Sequence, residues 1–240
     1  MAQRAFFFVV STEAPAAGAW FERLLPQACG GPLAPSADAA ASLQRPAFFG
    51  TLAAARLTLC AVGKEWSGSL PRRFHGVGLA EAGGTVRRQC PPSAMEKRSH
   101  CLRTVAPGLR RLDAAARVVL NEPWDCFVLW LPLAEADLAP AGERLRDLLA
   151  TLTPDIAVCG VLLSTQDSRW LWRVHGASAG TLPPRPVADV LPTVLKTLGL
   201  PVPAALPGSI AELAGAARVS GYTPQEEREI QKRLEDLGYL

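Results

Sequence analysis

The chain has 240 residues, 49% of them hydrophobic and 20% charged, with a formal net charge of +3. That balance excludes a disordered chain and leaves enough material for one α/β core. No apolar run approaches the ~20 residues of a membrane-spanning helix, and six cysteines with no CxxC pair argue against a disulfide scaffold and for a reduced, cytoplasmic setting.

The N-terminus, MAQRAFFFVVSTEAPAAGA, imitates a signal peptide with Arg4, an apolar run and small residues. Its uninterrupted core, Ala5 to Val10, is too short for that purpose and Glu13 follows closely, so a strand is expected instead. Helices are predicted over Ala16–Leu25 and Pro46–Arg56, and a strand over LTLCAV at 57–62. From Pro71 to Arg111 nine Lys/Arg face only Glu81 and Glu96, so this segment carries +7 and the remainder of the chain −4. Such a segment is either a solvated face or a surface for phosphate, nucleic acid or an acidic partner. Phe74 is its one aromatic, too few for a base-stacking platform, which argues against nucleic acid. Arg72, Arg73, Arg87 and Arg88 are its candidate anion-binding residues. Cys90, His100 and Cys101 signal zinc only weakly at their spacing, and Gly83–Lys97 shows the least pattern for order.

Beyond this segment a helix is expected over Ser99–Asn121, then strands at CFVLWL (126–131) and IAVCGVLL (156–163) around a helix at Ala141–Leu152. Continuous apolar runs suit strands buried on both faces, with Cys60, Cys126 and Cys159 acting as small hydrophobes. RWLWRVHG, 169–176, alternates as an edge strand would, and Val187–Leu198 is helical up to Gly199. In the tail, Thr223 is the expected N-cap, Pro224 takes the first helical position and Glu226 completes a capping box. Ile230, Leu234 and Leu237 form one apolar stripe ahead of Gly238. Strand–helix alternation predicts a doubly wound αβα sandwich with a mostly parallel sheet. A single domain over 1–222 is expected, with 71–111 in place of a cap and a helix at 223–240 docked on it.

Two tail stretches, DVLPTVLKTLGLPVP and YTPQEEREIQKRLEDLGYL, resemble the C-terminal end of type I phosphodiesterase/nucleotide pyrophosphatase proteins of the alkaline phosphatase superfamily. GKEWSGSLPRRFHGVGLA and EPWDCFVLWLP resemble other segments of that family in the same order. The resemblance implies an alkaline-phosphatase-like fold, reduced in size. It also implies hydrolysis of phosphate esters at two metals, usually zinc, with a Thr or Ser nucleophile and Asp and His ligands.

Position by position, this chain departs from that pattern. The first metal aspartate falls on Glu13 and the nucleophile on Gln44, which cannot be phosphorylated. The next aspartate falls on Glu135, and the histidine four residues on falls on Ala139. An Asp–His pair falls on Thr165 and Gln166, or in the other register on Leu163 and Ser164. His175 alone keeps a ligand's residue type. Without the family, Glu13 and Glu135 read as solvated strand-end carboxylates, and His175 as a strand-end histidine bonded to backbone, sooner than as metal ligands.

The expectation is therefore a catalytically degenerate pseudoenzyme, with no cofactor, acting as a binding or structural subunit of a protein complex. Two alternatives stay open. One is a phosphate- or nucleotide-binding module using the basic segment. The other is a residual metal-dependent phosphoesterase with a single weakly held zinc among Glu13, Glu135 and His175.

Overall fold

A run of five apolar side chains with no polar interruption, Phe6 to Val10, has no face to offer to water, and all five are 0% exposed. The run forms β1 (Ala5–Ser11). The structure, a computed structural model, describes residues 4–55, 57–63, 76–82, 85–89, 108–121, 123–174, 179–212 and 224–236. After β1 come α1 (Ala17–Glu22), β2 (Cys29–Ala34), α2 (Ala39–Leu43), α3 (Pro46–Ala54) and β3 (Leu59–Val62). Next are β4 (Gly76–Ala82), β5 (Thr85–Gln89), α4 (Leu109–Asn121) and β6 (Cys126–Pro132). A 3₁₀ turn (Glu135–Asp137) leads into α5 (Leu138–Thr151), then β7 (Ala157–Leu163) and β8 (Arg169–Arg173). The short β9 (Gly180–Thr181) and β10 (Arg185–Pro186) precede α6 (Val190–Thr197) and α7 (Pro224–Asp236).

Among the described residues the strands form one sheet in the order β10-β2-β8-β7-β1-β6-β3-β4-β5, with β9 also against β2. The run β7-β1-β6-β3-β4 is parallel throughout. β8 joins β7 and β2 antiparallel, and β5 joins β4 antiparallel. The predicted α/β architecture, a mostly parallel sheet flanked by helices, is therefore the observed one.

Each central strand sends alternate side chains to opposite faces, as its pleat requires. Phe7, Val9, Val128, Trp130 and Val161 join one core with α2, α3, α6 and α7. Phe6, Phe8, Val10, Phe127 and Leu129 join the other with α1, α4 and α5. Gly160, opposite Phe8 in the parallel pair, makes this second face possible. A Cβ there would lie 2.5 Å from Phe8 Cζ and 3.1 Å from Phe21 Cζ.

Several elements differ from expectation. β2 was not predicted, because CGGPLA has the composition of a turn. Its Gly31 is dictated by packing, since a Cβ would meet the Leu182 carbonyl oxygen at 2.3 Å. β5 occupies part of the stretch with the least pattern for order. The helix expected from Ser99 runs from Leu109, and 99–107 lie outside the described residues. α5 begins three residues before Ala141, which places Pro140 in its first turn, where a missing N–H matters little.

The tail helix packs on the domain itself. Ile230 and Leu234 are 4% and 1% exposed within the core that holds α3. Arg233 Nη1 donates to the Ala54 carbonyl at 3.1 Å, satisfying a free acceptor at the C-terminal end of α3 where a cation is also favoured. Thr223, Leu237, Gly238 and the side chain of Glu226 lie outside the described residues.

Two outcomes follow from this packing. Leu234→Ala should lower stability by about 2–5 kcal/mol in chemical denaturation, whereas Glu229→Ala, which removes an exposed pair with Arg233, should cost well under about 1 kcal/mol; equal effects would mean that the helix is not part of the core. Burial also pushes the thiols of Cys29, Cys126 and Cys159 above the ordinary range. Their unfolded forms lose protons above about pH 8.5 while the folded forms keep them, so this contribution is intact below that pH and lost above it. Stability should then decline as pH rises above that value. Cys126→Ala/Cys159→Ala should flatten the decline, and an unchanged slope would refute the assignment.

Candidate functional site

The three central strands end level with one another, and the chain fans out at their carboxyl ends. Ser11 is in register with Pro132 on one side and Leu163 on the other. Two more backbone bonds carry the pairing past the strands: Thr12 N–H donates to Leu163 O at 3.1 Å, and Leu133 N–H to Ser11 O at 2.9 Å. Beyond them the loops part around a cleft of ≈ 1160 Å³. It lies outside the carboxyl edge of a mostly parallel sheet, where open α/β proteins bind ligands.

The lining comes from four segments. Ser11 to Ala14 lead off the end of β1, Trp130 and Pro132 to Glu135 with Asp137 off the end of β6, and Leu163 to Thr165 with Ser168 off the end of β7. Pro35 to Ala37 with Ala39 and Ala40 bring in the start of α2. Most of the hydroxyls are engaged locally. The Trp130 indole N–H donates to Ser11 Oγ at 3.1 Å, and Thr12 Oγ1 accepts from the Ala14 N–H at 3.2 Å. Ser36 Oγ accepts from the Asp38 N–H at 3.3 Å. Ser168 Oγ accepts from the Ser164 N–H at 3.1 Å and donates to the Ser164 carbonyl at 2.8 Å. These bonds fix the loops and leave the carboxylates of Glu13, Glu135 and Asp137 as the charged groups of the described lining.

Glu13 and Glu135, assigned to metal-ligand positions from the sequence, thus line one cleft, and both are exposed. Thr165 and Ser164 line it too. Gln44 follows α2 as its C-terminal cap residue and is not among the lining residues. His175, Arg72 and Arg73 lie outside the described residues; Arg87 and Arg88 are on β5, with undescribed side chains. Arg111, counted with the basic segment, is no surface cation: it is 2% exposed and donates to the Trp130 carbonyl at 3.0 Å. It braces β6 directly beneath the cleft.

Asp137 was missed by sequence reasoning. Its signal was present: an acidic residue just ahead of a helix that follows a buried strand is well placed for the site edge. The 3₁₀ turn brings it there, with Asp137 N–H donating to Ala134 O at 3.0 Å. Its Oδ2 lies 3.6 Å from where a Cβ on Gly108 would be, and that glycine has φ +79°.

The cleft's described lining offers carboxylates, and the chain's three histidines lie outside the described residues; among the described residues no three His, Cys, Asp or Glu come together as a metal-ligand set. No protein-family model matches the chain, and no curated protein matches its sequence.

The geometry separates braces from charges. Trp130→Phe, which removes the donor to Ser11 and shrinks a buried ring, should cost at least about 1 kcal/mol. Glu13→Gln, at an exposed rim position, should stay within about 0.5 kcal/mol of the parent. Urea denaturation of both variants checks the contrast; a larger loss from Glu13→Gln would give that carboxylate a structural partner.

Proposed function

We propose that this protein is a catalytically degenerate, phosphodiesterase-like protein with an alkaline-phosphatase-like sandwich, acting as a binding or structural subunit of a protein complex. The observation that carries the reading is the charge and wiring of the cleft. Glu13, Glu135 and Asp137 are the charged groups of its described lining, so a phosphoryl group entering unaided meets like charge at the surface. Of the lining hydroxyls, Ser11, Thr12, Ser36 and Ser168 are bonded to backbone or to the Trp130 indole. Among the described residues no nucleophile–base pair is built. Gln44 at the nucleophile's place in the sequence agrees with this. No helix among the described residues is long and apolar enough to cross a membrane; the protein partner and the cytoplasmic setting are part of the proposal.

Three measurements test it. Phosphodiester and phosphomonoester substrates with added zinc or manganese should give background turnover; hydrolysis abolished by Glu13→Ala would overturn the reading. Elemental analysis should find less than one zinc per chain, and about two equivalents would revive the enzyme. Recovered at low salt from the cells that make it, the protein should run with a second polypeptide in fixed ratio. A lone chain that binds nucleotide, and loses it in salt or on Arg87→Ala/Arg88→Ala, would favour the anion-binding alternative.

A further inference from the structure

We draw no further inference here: the strongest candidate, the cleft at the carboxyl edge of the sheet that Glu13, Glu135 and Asp137 line, belongs to the site already described, and nothing among the described residues shows what it would hold.

Discussion

Everything in this molecule is arranged around the complete burial of β1. From Phe6 to Val10 the strand exposes nothing, so both its faces must be covered and both its edges paired. Buried backbone N–H and C=O groups left without partners would each cost about 1–3 kcal/mol. β6 and β7 satisfy the edges in one common register, and two helical layers satisfy the faces. Gly160 shows how tight the arrangement is, because the Phe8 ring takes the space a side chain would need.

That common register also makes the cleft. Strands that end level must hand their chains to loops at one edge, and the loops after β1, β6 and β7 separate there. The carboxylates of Glu13 and Glu135 line one cleft because the strands beneath them are in step, without any attraction between like charges. Shape therefore belongs to the sheet, while chemistry belongs to a handful of loop residues that the fold does not require. A chain can change those residues and keep the cleft.

How much of this was legible in the sequence depends on what each segment had to bury. β1, β6 and β7 were legible because strands buried on both faces are written as continuous apolar runs. β2 was not, because Gly31 answers to the approach of the Leu182 carbonyl, and Gly30 to Leu171 and the Trp170 carbonyl, rather than to any local pattern. β5, Thr85–Gln89, lies at the edge of the sheet and carries two arginines in five residues, so its pairing leaves no hydrophobic signature. Arg111 was misplaced for a related reason. A charge on a helix normally marks the solvent face, and its bond to the Trp130 carbonyl is a tertiary contact that spacing does not encode. At the site, strand-end acids could be found by position, as Glu13 and Glu135 were. Asp137 depended on the intervening 3₁₀ turn.

The two faces of the sandwich draw on the chain very differently, and this sets an order of events during synthesis. Among the described residues one core is built from residues between Phe6 and Leu162, with Leu171 as the single later contributor. The other waits for Val187 to Leu206, then for Ile230 and Leu234. As the chain emerges from its N-terminus, the sheet and one helical layer can close while the opposite side of Phe7, Val9 and Trp130 is still without α6 and α7. The half-built sandwich then presents an apolar sheet surface to its surroundings until α6 and α7 are made and cover it.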